Sequence, residues 1–114
     1  MTGPTIEFFD DLSHREHEPL LERITATVRF DIADHGRTEH RLARIEHGDI
    51  RVSAQDAPAD CVMGGDRAVF DAIIGGHLTA MAALLRGVLA VEGDPELLVL
   101  TQRLFPGTGT RGSR

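Results

Sequence analysis

Glycines and prolines punctuate the second half of this chain, and they constrain its fold more than any other feature. From Ala59 to Gly107, apolar segments are divided at Gly64-Gly65, Gly75-Gly76, Gly87, Gly93 and Pro106-Gly107. The pieces between them are too short for long helices, so the spacing predicts a strand, two helices, a strand and a helix in turn. The expected bounds are a strand over Asp60–Met63, helices over Arg67–Ile74 and Leu78–Arg86, a strand over Val88–Glu92 and a last helix running to Phe105. Asp66 is placed to cap the first of these helices. Asp94, Pro95 and Glu96 make the cap, first turn and acidic start of the last one.

The first half reads differently. Ala26, Val28, Phe30 and Ile32 alternate with polar neighbours, which is the period-two pattern of a strand with one buried face. Turns are expected at Asp34-His35-Gly36 and His47-Gly48-Asp49. Between them a strand over Thr38–Glu46 alternates poorly around Ala43 and Arg44, which predicts a bulge. A third strand follows over Ile50–Ala54, and short connections make the three an antiparallel meander. Ahead of them, Thr5 is a candidate cap for a helix over Ile6–Leu12 that buries Phe8, Phe9 and Leu12. Pro19 opens a short helical piece over Leu20–Ile24. The expected order is α-β-β-β-β-α-α-β-α, in one mixed α+β domain.

With 114 residues, one domain over residues 1–107 is expected, with 108–114 as a polar, Gly-rich tail. A net charge of −6 with no cationic cluster argues against nucleic acid and anionic membranes as partners. No apolar run is long enough to span a bilayer. One cysteine, Cys61, permits no internal disulfide, and the N-terminus lacks signal-peptide character, so a cytoplasmic location is expected.

No constellation of catalytic groups emerges. His14 and His17 stand three apart beside Glu16 and Glu18, but H-R-E-H-E fits neither HExxH nor HxxEH, and no third ligand is apparent. Cys61 between apolar neighbours reads as a small buried hydrophobe. The GxGxxG match at 107–112 has only two residues after it and cannot open a helix onto a pyrophosphate. Neither a catalytic residue, a metal site nor a cofactor is therefore assigned, and the expectation is a protein that is not an enzyme.

What the second half does offer is apolar surface. Phe70, Ile73 and Ile74 share a side of one helix. Leu78, Met81, Leu84 and Leu85 share a side of the next. Leu97, Leu100, Leu104 and Phe105 form the stripe of the last. These stripes either line a pocket for an apolar ligand or fill one another as ordinary core. His77, between two apolar helices, either donates to a ligand head group or caps the Gly75-Gly76 break. Val99 lies opposite the last stripe.

The second half also resembles the sterol carrier protein-like family of lipid-binding domains. The resemblance rests on Ala59-Asp60 entering a strand, Gly65-Asp66 opening a helix, Gly75-Gly76, the run from Gly87 to Asp94 with its Gly-x-Leu-x-Val-x-Gly-Asp pattern, and Leu104-Phe105. It implies a five-stranded, mostly antiparallel sheet covered on one face by helices, with an apolar tunnel between the layers that binds a sterol, fatty acid or acyl conjugate. It implies that Gly93 and Asp94 are structural and do not touch ligand. Because such domains also stand beside enzymes, it leaves open an accessory domain with a filled core that dimerises or docks on a partner enzyme.

Overall fold

A computed structural model describes residues 4–13 and 22–102. His14, His17, Leu20, Leu21, Leu104, Phe105 and the tail lie outside the described residues. The elements are α1 (Pro4–Ser13), β1 (Thr25–Asp34), β2 (Arg37–Glu46), β3 (Asp49–Ser53), β4 (Cys61–Asp66), α2 (Arg67–Ile74), α3 (Ala80–Leu85), β5 (Leu89–Gly93) and α4 (Glu96–Gln102). The order and class match the sequence reading. Part of the expected Leu20–Ile24 helix is corrected: Glu22 and Arg23 form a turn that leads straight into β1.

The strands form one sheet in the order β3-β2-β1-β4-β5. β1, β2 and β3 are the expected meander. Their two-residue turns, His35-Gly36 and His47-Gly48, have positive φ at both positions, at 51° and 79°, then 50° and 95°. That backbone matches the twist of paired strands, and histidine accepts it more readily than a β-branched residue would. No bulge interrupts β2. Every residue from Arg37 to Glu46 pairs with β1 in one register. The alternation looked poor because Leu42 and Ala43 are both buried on opposite faces of a regular strand.

The sheet is mixed. β4 runs parallel to β1, with Val28 opposite Cys61 and Ala33 opposite Asp66, and β5 pairs antiparallel with β4. Joining β3 at one edge to β4 requires a crossover, and residues 54–60 make it over the face away from the helices. Arg29 holds it there: Nη1 donates to the carbonyl of Ala57 at 2.9 Å and pairs with Asp56 at 3.2 Å. Gly64 and Gly65 continue β4 instead of ending it.

On the other face Val28, Phe30, Ile32, Ala43, Ile45, Ile50 and Met63 meet the helices. Four phenyl rings run through this layer edge to face: Phe8–Phe9 at 5.2 Å, Phe9–Phe30 at 4.9 Å and Phe30–Phe70 at 6.2 Å. Such pairs contribute roughly 0.5–1.5 kcal/mol each beyond their burial. α1 is also tied to α2. Thr5 is buried, and both its amide and its hydroxyl donate to Asp71 Oδ1, at 3.1 and 2.5 Å. Thr5 thus sits inside a helix that begins at Pro4, and the acceptor at that helix start is Asp71 of α2, not the hydroxyl of Thr5.

Two further helix starts differ from the sequence reading. Asp66 occupies the N-cap of α2 without a side-chain cap bond. α3 begins at Ala80 instead of Leu78, because Thr79 Oγ1 accepts from the Ala82 amide at 3.0 Å. Its buried residues are Ala80 and Ala83, while Leu84 is half-buried, and Met81 and Leu85 are exposed. Small side chains let this short helix approach β5, so the bulky stripe faces outward.

Gly93 ends β5 against the start of β4. Its φ is +96°, and a Cβ there would stand 2.1 Å from the carbonyl oxygen of Asp60. Gly87 also has positive φ, at +79°, but its Cβ would meet open space. Gly87→Ala should therefore cost only the left-handed strain, about 1–2 kcal/mol. Gly93→Ala should cost clearly more, because backbone must also move. Urea denaturation of both variants tests this; equal losses would refute the close approach.

Candidate lipid-binding cleft

Beside the aromatic layer of α1 and α2, a cleft opens at the start of β1 under α4. This cleft has a volume of about 460 Å³ and is lined by Arg23, Ile24, Thr25, Ala26, Asp60, Asp94, Glu96, Leu97 and Leu100. It falls within the range of roughly 300–1,000 Å³ typical of small-molecule sites. Two smaller clefts flank α1. One of about 280 Å³ includes Ile6, Phe9, Arg41 and Val52, and one of about 240 Å³ includes Phe8, Asp11 and Ile74.

Local sequence positions each wall of the main cleft. Ile24 and Ala26 continue the inward parity of Val28 and Phe30. Leu97 and Leu100 face them from α4 at an i, i+3 spacing. Asp60 Oδ2 accepts from the Thr27 amide at 2.9 Å, and its carbonyl accepts from the Asp94 amide at 2.9 Å. Asp94 Oδ1 accepts from the Glu96 amide at 3.0 Å, which caps α4. Ile24, Ala26, Leu97 and Leu100 are the half-buried or buried part of this wall, and Arg23, Asp60, Asp94 and Glu96 are its exposed part.

Of the residues singled out by sequence, Leu97 and Leu100 line this cleft. Phe70 and Ile73 are buried in the central core, and Ile74 borders the smaller cleft beside α1. His77 is exposed; its amide donates to the carbonyl of Ala72 at 2.8 Å at the Gly75-Gly76 break. Leu84 is half-buried, Met81 is 43% exposed and Leu85 80%. Val99 is exposed as read. The sequence reading missed Ile24, Ala26, Arg23, Asp60 and Glu96. Strand parity could have supplied the first two; the others depend on β4 lying beside β1. Asp94 caps its helix as the resemblance implied, and it also borders the cleft.

Two other places have polar or nucleophilic character. Cys61 is fully buried, and burial, with a contribution from the charge of Asp94, pushes its thiol pKa up, so it holds no thiolate ready for attack. On the outer sheet face, Asp31 accepts from Arg29 Nε at 2.9 Å and lies 2.7 Å from His40 Nδ1, while His40 Nε2 is 3.6 Å from Asp56. These side chains tie the crossover to β1 and β2. Among the described residues, no group of three or more His, Cys, Asp or Glu is arranged to hold a metal.

Residues 8–106 match the SCP-2 sterol transfer family, and the chain belongs to it. No curated protein matches the chain by sequence. Among solved structures, sterol carrier protein domain 2 of Helicoverpa armigera is 17% identical with a TM-score of 0.74, over 92% of this chain and 90% of that one. Sterol carrier protein-2 of Aedes aegypti, solved with palmitate, is 19% identical with a TM-score of 0.73, over 94% and 98%. An inverting sec-alkylsulfatase from a Pseudomonas species is 19% identical with a TM-score of 0.74, over 91% of this chain but only 16% of its own. The fold therefore occurs both alone and as a small part of an enzyme.

The outer-face cluster carries a pH dependence. Burial acts to raise the Asp31 carboxyl, but the hydrogen bonds from Arg29 and His40 outweigh it and hold the group below its ordinary value. A depressed carboxyl stabilises the fold above its unfolded-state pKa and loses that contribution as pH falls through the lower folded value. Asp31→Asn should cost about 1–2 kcal/mol at neutral pH and flatten the acid limb of a stability-versus-pH curve. An unchanged acid limb would remove Asp31 from the clamp.

Proposed function

We propose that this domain binds an apolar lipid without chemical conversion, in the cleft between the start of β1 and α4, for transfer, storage or presentation. The observation that carries the reading is the cleft itself: about 460 Å³ with Ile24, Ala26, Leu97 and Leu100 in its wall, in a chain of the sterol transfer family. Each CH₂ taken out of water there contributes roughly 0.8 kcal/mol, so an acyl chain or sterol ring system needs no charged anchor. The palmitate complex of the Aedes aegypti relative supports a lipid as the ligand class. Among the described residues, no helix is long and apolar enough to cross a membrane, and the buried free thiol of Cys61 suits a carrier working in the cytoplasm.

The chain has no Trp or Tyr, so an external probe is needed. An uncharged environment-sensitive dye such as Nile red should bind at micromolar concentration and be displaced by lipids. Ala26→Trp, which fills the floor of the cleft, should weaken dye binding at least about tenfold while costing about 1–3 kcal/mol of stability. Met81→Trp, on the exposed face of α3, should leave binding unchanged. No dye or lipid uptake by the wild type, or full binding by a folded Ala26→Trp variant, would refute the reading.

A second reading has its own observation. Met81, Leu85 and Val88 are all exposed large hydrophobic residues near the α3–β5 junction. We infer that, if the domain instead serves as an accessory module, this patch is where it dimerises or docks on an enzyme. Light scattering should then show a dimer that Leu85→Asp converts to a monomer, or a monomer that acquires a partner only with Leu85 intact. A monomer whose behaviour ignores Leu85→Asp in the presence of its candidate enzyme would exclude this role.

A further inference from the structure

We propose that the cleft under α4 selects ligands whose polar end is uncharged or cationic and disfavours free carboxylates; this rests on the lipid-binding reading above. Four charged side chains border the cleft: Asp60, Asp94 and Glu96 against Arg23. Two of the three carboxylates are fixed in place by neutral donors, which orient them without cancelling their charge. Asp60 is held by the amide and hydroxyl of Thr27, at 2.9 and 3.4 Å. Asp94 is held by the amide of Glu96 at 3.0 Å. Among the described residues, none of the three is paired with a cation.

Such a mouth is rich in acceptors. A hydroxyl, an amide N–H or an ammonium can donate to lone pairs that the backbone leaves unused. A carboxylate can donate nothing and would enter a region where two negative charges cannot swing away. Arg23 is exposed and unpaired among the described residues, and it is the one cation among the described residues that line the cleft. At the partly solvated mouth, a net excess of two negative charges a few ångströms away is worth about a tenfold penalty on an anionic head group. The ligand class this favours is a sterol-type alcohol, a neutral acyl ester or amide, or a long-chain amine.

The test uses three ligands with one chain length, dodecanol, dodecylamine and dodecanoate, each displacing Nile red from the intact protein at pH 7.5 and low salt. Dodecanol and dodecylamine should half-displace the dye at about tenfold lower concentration than dodecanoate. Because the alcohol is also the more apolar molecule, the decisive comparison is between variants. Asp60→Asn combined with Glu96→Gln should narrow the ratio of dodecanol to dodecanoate affinity several-fold. Asp66→Asn should not, because Asp66 pairs with Ala33 at the opposite end of β1 from the cleft. Arg23→Gln should widen the ratio. Dodecanoate binding as well as dodecanol, or Asp66→Asn narrowing the ratio as much as the double variant, would overturn the inference while leaving lipid binding intact. Failure of all three ligands and the dye to bind would overturn the lipid reading, and this inference with it.

Discussion

The edge-to-face contact of Phe30 with Phe9 on one side and Phe70 on the other sets the layout of this domain. Phe30 stands in the central strand, and its two partners come from α1 and α2. The three rings pack edge to face in the middle of the helix layer, where interiors close to crystal-like density, and the openings lie around its margin. α1 and α2 are then locked to each other by the two bonds from Thr5 to Asp71. The main cleft opens at the start of β1, where Ile24 and Ala26 line it and no phenyl ring among the described residues borders it.

The second constraint is the crossover. An antiparallel meander alone would leave β1 at an edge with its backbone groups unpaired, which is costly for a buried strand. Carrying residues 54–60 over the outer face puts β4 beside β1 in parallel and satisfies that edge. The same step places Asp60 next to Thr27 and brings Gly93 against Asp60. One topological event thereby makes the central sheet and the polar mouth of the cleft. The charged cluster of Arg29, Asp31, His40 and Asp56 reads as the fastening of that event, which explains acidic and basic side chains at half-buried sheet positions.

Much of the fold was legible because its signals are local. The alternation from Ala26 to Ile32, the His-Gly turns, the buried Phe8-Phe9-Leu12 stripe and the Asp94-Pro95-Glu96 helix start each follow from a few adjacent residues. The errors came where local pattern and tertiary setting diverge. Leu42 next to Ala43 suggested a bulge, but a strand covered on both faces buries neighbours in succession. On α3, Met81 and Leu85 suggested a buried stripe by size; the helix turns Ala80 and Ala83 inward instead, because only small side chains fit where it meets β5. At the site, Leu97 and Leu100 were readable from helical spacing, whereas Asp60 and Glu96 carry no sign of their role until β4 and α4 are in place.

The glycine-punctuated run from Ala59 to Gly107 and the alternating strand before it are enough to determine the element order, the α+β class and the kinship with sterol transfer domains, because helix stops, turns and strand periodicity are written in neighbouring residues. Tertiary structure alone decided where empty space remains. A cavity is what is left after every side chain has been packed, so it depends on which rings meet across the layer and on how far the crossover carries β4. Phe70 and Ile73 went to the core by that accounting, and Ile24, Ala26, Leu97 and Leu100 were left facing an opening with three carboxylates at its mouth.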